Sequence, residues 1–142
     1  MNILLVEDDY LLGRSTARLL ERQGQHWVRL THKAADVFKC CESGGIDIVL
    51  MDVNLPGTLW QNKEVTGVDL SRMLKQQPTT AHLPVVLLTG RSTTQADCIR
   101  LRQEAIADAL VTKPIDDSEA FLSLLDRVQT DNGCHGLNAS AS

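Results

Sequence analysis

Five short apolar runs, separated by amphipathic stretches, constrain the fold of this chain more than any other feature of its sequence. They are rich in Val, Leu and Ile, which is typical of strands that are buried on both faces of a parallel sheet. The runs span residues 2–7, 27–31, 46–51, 84–89 and 107–112.

The stretches between and after these runs predict five helices, centred on residues 12–20, 34–41, 70–74, 92–103 and 121–128. In the second helix, for example, Ala34, Val37, Phe38 and Cys41 recur at the spacing of one helical face. Asp117 or Ser118 is suited to cap the last helix. Strands that alternate with helices through right-handed crossovers give an α/β fold with a doubly wound parallel sheet.

Composition narrows the class of protein. A chain of 142 residues fits one domain, and a net charge of −4 argues against nucleic-acid binding by this chain alone. No apolar run approaches the roughly 20 residues of a membrane span. Acids directly follow the short apolar start, which argues against a signal peptide, so we interpret the chain as cytoplasmic. Residues 130–142, rich in Asn, Gly, Ser and Ala, predict a flexible tail after a domain at 1–129.

The cysteines indicate neither a zinc site nor a disulfide framework. Cys40, Cys41, Cys98 and Cys134 match no zinc-ligand spacing, and adjacent Cys40 and Cys41 are poorly placed to bridge. We interpret them as reduced thiols that act as small hydrophobes. A redox role for Cys134 stays open.

Polar residues stand at the ends of four predicted strands. They are Glu7-Asp8-Asp9, Asp52, Thr89-Gly90 and Lys113-Pro114. The carboxyl ends of parallel strands meet at one edge of the sheet, where such folds bind ligands. Carboxylates that converge there repel one another unless their pKa values rise or a cation neutralises them. Oxygen ligands of this kind suit Mg²⁺ or Mn²⁺.

These residue types together suit phosphoryl transfer. A carboxylate such as Asp52 can act as the nucleophile and form an acyl phosphate. A metal ion and the Lys113 ammonium would offset the charge of the phosphoryl oxygens, and the Thr89 hydroxyl could donate a hydrogen bond to them. Taken alone, Asp52 could instead only cap the following helix.

Residues 2–9, 47–57, 85–90 and 111–114, taken in this order, resemble the motifs of the response-regulator receiver domain. The resemblance covers about residues 1–129. It implies a flavodoxin-like strand order of 2-1-3-4-5. It also implies that a histidine kinase or histidine phosphotransfer protein donates the phosphoryl group, that Mg²⁺ is the cofactor, and that a downstream protein is the target. A homodimer stays open, and the chain is not expected to be an enzyme.

The same resemblance assigns roles to individual residues. Asp52 would be the phosphoacceptor, Thr89 the switch hydroxyl and Lys113 the lysine that pairs with the phosphoryl group, with a commonly cis peptide before Pro114. The metal site would comprise Glu7, Asp8, Asp52 and the backbone carbonyl of Asn54. Asp8 would bind the metal more directly than Glu7.

Two other functions compete with that of a receiver. An aspartate-nucleophile phosphatase of the haloacid dehalogenase type also uses a strand-end Asp, a Thr, a Lys and Mg²⁺. That family requires a second acid where Asn54 stands. The acids at the end of the first strand also precede Asp52 in this chain, which is the wrong order for that family. A degenerate binding module that ignores phosphorylation is disfavoured because the site residues are all present: Glu7, Asp8, Asp52, Thr89 and Lys113.

The sequence departs from the receiver pattern in three places. A segment at 58–66, which contains Trp60, separates Pro56 from the expected glycine, Gly67. It is hypothesised to be a lid or docking surface near Asp52, or else a tolerated surface insertion. Leu110 replaces the usual switch aromatic, which puts the usual route of output in doubt, and Ile106 replaces a common glycine.

Two side chains flank the predicted path of the donor or of water. Asn54 and Arg91 each stand two residues after a predicted functional residue, Asp52 and Thr89 respectively. Arg91 is expected to contact the phosphoryl group or a partner.

Overall fold

The computed structural model describes residues 1–90 and 92–141, with side chains given as far as Asp131. Within these residues no helix combines the length and the apolar character that a membrane crossing requires. The elements in chain order are β1 (Asn2–Val6), α1 (Tyr10–Gln23), β2 (Trp27–Thr31), α2 (Ala34–Glu42), β3 (Ile48–Asp52), β4 (Leu59–Trp60), β5 (Lys63–Glu64), α3 (Gly67–Gln76), β6 (Val85–Gly90), α4 (Gln95–Ala105), β7 (Ala109–Lys113) and α5 (Ser118–Ala141).

Five parallel strands form the central sheet in the order β2-β1-β3-β6-β7. When the parallel strands alone are numbered, this is the order 2-1-3-4-5, so the predicted fold is confirmed. The register places Asp52 opposite Leu88 and Gly90 opposite Lys113. The carboxyl ends of β3, β6 and β7 therefore lie along one edge of the sheet.

Two hydrophobic clusters cover the two faces of this sheet. Alternate residues of β3 contribute to opposite clusters, with Val49 in the cluster of α2 and α3 and Leu50 in the cluster of α1 and α5. Every residue of β3 is buried. In a strand that is covered on both faces, a polar residue is best tolerated at the end of the strand. Asp52 is the last residue of β3.

Side-chain caps begin four of the helices where the sequence supplies a hydroxyl or carboxylate. Asp9 accepts a hydrogen bond from the Leu12 amide, and Thr66 caps α3 in a reciprocal capping box. Asp117 accepts from the Ala120 amide, so of the two predicted caps of α5 it is Asp117 that acts. Thr94 caps α4, which therefore begins later than predicted.

The last strand also begins two residues later than predicted. Asp108 lies in the turn before β7, where its carboxylate accepts hydrogen bonds from Lys75 Nζ at 2.6 Å and from the Val85 amide at 2.8 Å. Ile106 ends α4 with a left-handed backbone at φ 54°. This conformation explains why glycine would suit that position.

The 58–66 segment forms an antiparallel hairpin that is not predicted from the sequence. Gln61 and Asn62 both have positive φ at its tip, which is typical of a two-residue hairpin turn. Trp60 packs on Phe38 of α2, with ring centroids 4.4 Å apart, and the Thr58 hydroxyl donates to the His32 carbonyl at 3.4 Å. These contacts attach the hairpin to the α2 side of the sheet. Its role as a lid or docking surface stays a prediction.

Replacing Trp60 with alanine should lower the free energy of unfolding by about 1–3 kcal/mol, because the ring contact and part of the buried apolar area are lost. The matched control is Trp27→Ala, since Trp27 is 78% exposed. That variant should change stability by less than about 0.5 kcal/mol. Urea titrations of both variants would measure the difference, and equal effects would contradict the anchoring role of Trp60.

The cysteine prediction is confirmed for Cys40 and Cys41, which are buried, free and part of the core; Cys98 is half-buried and also free. The side chain of Cys134 lies outside the described residues. Helix α5 continues to Ala141, so no break in secondary structure marks residue 129. The division into a domain and a flexible tail stays a prediction.

Candidate functional site

Lys113 joins two acidic residues at the carboxyl edge of the sheet. Its Nζ donates to Glu7 Oε1 and to Asp52 Oδ2, each at 2.9 Å. Glu7 and Asp52 are each only 4% exposed, so both ion pairs are shielded from water. The structure thus brings together three of the residues predicted for the site.

The fold explains why these three side chains meet although they are distant in sequence. Glu7 directly follows β1, Asp52 ends β3 and Lys113 ends β7. Strand β6 separates β3 from β7 in the sheet, so the long lysine side chain must reach past the end of β6. The Lys113–Pro114 peptide is cis, as the resemblance implied.

Burial and the neighbouring side chains shift the pKa values of Glu7 and Lys113. Burial, and then the hydrogen bond with Asp52, raises the pKa of Glu7 to about 7, although Lys113 acts in the opposite direction. Burial lowers the pKa of Lys113, but its bonds to Glu7 and Asp52 outweigh that effect and hold this pKa above its ordinary value. Lys113 is therefore a cation at neutral pH, and a bound metal ion would compete with the proton of Glu7.

The loop after β3 fixes the other oxygen of Asp52. The backbone amide of Asn54 donates to Asp52 Oδ1 at 3.1 Å, and the backbone amide of Gly67 donates to the Val53 carbonyl at 3.0 Å. A Cβ at Gly67 would lie 1.8 Å from the Asp52 carbonyl oxygen. Position 67 therefore requires glycine. The sequence alone shows only that the 58–66 segment separates this glycine from Pro56.

Thr89 lies at the same edge but is bonded elsewhere. It is 4% exposed, and its Oγ1 lies 2.9 Å from the Oγ1 of Thr93 in the turn before α4. The Asp52 carboxylate instead interacts with Lys113, the backbone amide of Asn54 and Glu7. The sequence predicts a role for Thr89 but none for Thr93, because a hydroxyl in a turn four residues after a strand-end threonine has no distinctive pattern.

The predicted metal ligands are only partly assembled. Asp8 is exposed, and in the described part of the chain no three His, Cys, Asp or Glu side chains are grouped to hold a metal ion. Mg²⁺ is nevertheless commonly bound by one or two carboxylates while it retains several waters. The Glu7 and Asp52 carboxylates, which both accept from Lys113 Nζ, are a donor set of that kind.

Leu110, at the position of the usual switch aromatic, borders the apolar core. Leu110 is half-buried and packs against the cluster formed with α2 and α3. Arg91 lies outside the described residues, so its contact with a phosphoryl group or partner stays a prediction.

A buried aspartate paired with a half-buried lysine thus lies at the carboxyl edge of a doubly wound parallel sheet. The family model of the response regulator receiver domain matches residues 3–126. The chain therefore belongs to the response-regulator receiver family.

The curated relatives agree with this family. The chain is 33% identical over 134 residues to the swarming motility regulation protein RssB of Serratia marcescens, covering 93% of this chain and 53% of RssB. It is 28% identical to the polar-differentiation response regulator DivK of Brucella ovis, covering 80% of this chain and 85% of DivK. This chain thus spans about half the length of RssB.

Solved structures support the fold. The receiver domain of the sensor histidine kinase PA1611 from Pseudomonas aeruginosa superposes with a TM-score of 0.74 at 24% identity, covering 91% of this chain and 97% of that one. That structure has a magnesium ion coordinated in its active-site cleft.

Proposed function

We propose that this chain is a phosphorylation-controlled receiver whose phosphoacceptor is Asp52. One observation carries the proposal: a carboxylate buried at the sheet edge, with one oxygen bonded to the Lys113 ammonium and the other to the Asn54 amide. This arrangement orients a nucleophile and supplies a cation beside it.

The reaction would transfer a phosphoryl group from a phosphohistidine to Asp52. A carboxylate oxygen of Asp52 forms a bond to phosphorus as the phosphorus–nitrogen bond of the donor breaks, and the released imidazole takes a proton. Lys113 can turn from its carboxylate partners toward the oxygens of the attached group. The donor class we propose is a histidine kinase or a histidine phosphotransfer protein.

The cofactor we propose is Mg²⁺, as in the PA1611 receiver domain. Glu7, Asp8, Asp52 and the Asn54 carbonyl would hold it. When bound, it would neutralise charge that develops on the phosphoryl oxygens. Asp9 is excluded from this set because it caps α1.

The output we propose is altered binding of a downstream protein. Phosphorylation would favour one of two pre-existing conformations, and Thr89 would stabilise the phosphorylated one through its hydroxyl. The net charge of −4 favours a protein target over nucleic acid for this chain.

The proposal is tested by incubating the protein with acetyl phosphate and MgCl₂ and measuring its intact mass. We expect one added phosphoryl group, lost on treatment with hydroxylamine because acyl phosphates are cleaved by it. Chelation with EDTA before the donor is added should prevent the addition. Turnover of phosphate monoesters without a stable adduct would favour the phosphatase instead, and an EDTA-resistant adduct would contradict the metal requirement.

A further inference from the structure

The contact between Thr89 and Thr93 has no part in the function proposed so far. The two hydroxyl oxygens lie 2.9 Å apart, and Thr93 is held in its turn by its own amide, which donates to the Gly90 carbonyl at 3.1 Å. Thr89 is buried and Thr93 is half-buried, so water competes little for this bond. The next residue, Thr94, caps α4.

We infer that Thr93 is a positioning residue that holds the Thr89 hydroxyl away from Asp52 until a phosphoryl group draws it in. The inference rests on the proposed function and adds a chain-specific device to it. In the described residues the Thr89 hydroxyl bonds to Thr93, whereas the Asp52 carboxylate accepts from Lys113 and from the Asn54 backbone amide. On this inference Thr89 moves toward an attached phosphoryl group, and that movement breaks its bond to Thr93.

The bond sets part of the energetic cost of switching. A net hydrogen bond between neutral groups is worth enough to change an equilibrium by about 2- to 10-fold. This cost falls only on the state without a phosphoryl group. Removing the Thr93 hydroxyl should therefore favour the phosphorylated state and not weaken it.

The neighbouring strand offers Thr89 no equivalent restraint. Leu110 carries no hydroxyl and packs against the apolar core. Thr112, the register partner of Thr89 on β7, is exposed. Among the described residues, the side chain that hydrogen-bonds to the Thr89 hydroxyl is that of Thr93.

The test compares Thr93→Val with Thr93→Ser and with the control Thr112→Val. Valine keeps the shape of threonine and removes the hydroxyl, serine keeps the hydroxyl, and the control removes a hydroxyl at an exposed position of the adjacent strand. The probe is beryllofluoride with MgCl₂, a mimic of the phosphoryl group that binds aspartate. Its dissociation constant is measured by isothermal titration calorimetry.

We expect Thr93→Val to bind beryllofluoride about 2- to 10-fold more tightly than the unmodified protein. Thr93→Ser and Thr112→Val should match the unmodified protein. Unchanged or weaker binding by Thr93→Val would overturn the inference, even if that variant were less stable to heat, because lower stability alone is what a purely structural contact would produce. If the unmodified protein did not bind beryllofluoride at all, the proposed function itself would be wrong.

Discussion

Replacing Asp52 with asparagine should abolish phosphorylation by acetyl phosphate and MgCl₂. Asparagine has nearly the shape of aspartate but lacks the anionic oxygen that would attack phosphorus. The variant should also fold, because one of two adjacent buried carboxylates becomes neutral and its repulsion of Glu7 disappears. Intact mass spectrometry would report the adduct, and thermal unfolding would confirm that the loss is chemical.

Asp47→Asn is the matched control for this variant. Asp47 precedes the same strand at its opposite end, where its carboxylate accepts a hydrogen bond from the Asn2 amide at 2.7 Å. The control should be phosphorylated like the unmodified protein. An adduct that persists in Asp52→Asn would assign the phosphoacceptor to another residue and overturn the central proposal.

The fold was predictable because its signals are local and repeated. The central strands β1, β3 and β6 are apolar runs buried on both faces, so composition alone marks them, and α1, α2 and α3 each carry an apolar face. The edge strands β2 and β7 are more exposed than their apolar runs predict. The grouping of Glu7, Asp52 and Lys113 then follows from a rule about parallel sheets: strand ends that point the same way share an edge. The strand order itself came from the family resemblance.

The features that the sequence did not reveal depend on contacts made after folding. Strands of two residues, such as β4 and β5, are too short to show an alternating pattern, so the sequence does not predict the hairpin. Its position depends on the packing of Trp60 on α2. The start of β7 depends on Asp108, whose carboxylate accepts a hydrogen bond from Lys75 of α3. The Thr89–Thr93 bond likewise depends on the path of one turn.

Gly67→Ala is expected to be the most disruptive single-methyl change near the site. The added Cβ would lie 1.8 Å from the Asp52 carbonyl oxygen and 2.8 Å from its carbonyl carbon. Backbone cannot rotate away as a side chain can, so either α3 or the end of β3 must shift. Either movement strains the hydrogen bond from the Gly67 amide to the Val53 carbonyl.

We expect this variant to lose about 2–4 kcal/mol of unfolding free energy, which overlaps and extends beyond the range of about 1–3 kcal/mol that is typical of overpacking a core. Phosphorylation should also slow, because the shifted backbone carries Asp52 away from Lys113 and a small misplacement of a reacting group costs rate. Urea titration and the time course of adduct formation would measure the two effects.

Gly45→Ala is the control, because a Cβ at Gly45 would meet nothing within 4 Å. It should change stability by less than about 0.5 kcal/mol and leave phosphorylation unchanged. If Gly67→Ala behaved like this control in both measurements, the close approach of α3 to Asp52 would not exist in solution. If Gly67→Ala lost stability but kept its rate of phosphorylation, the strain would be absorbed by α3, and the position of Asp52 would not depend on position 67.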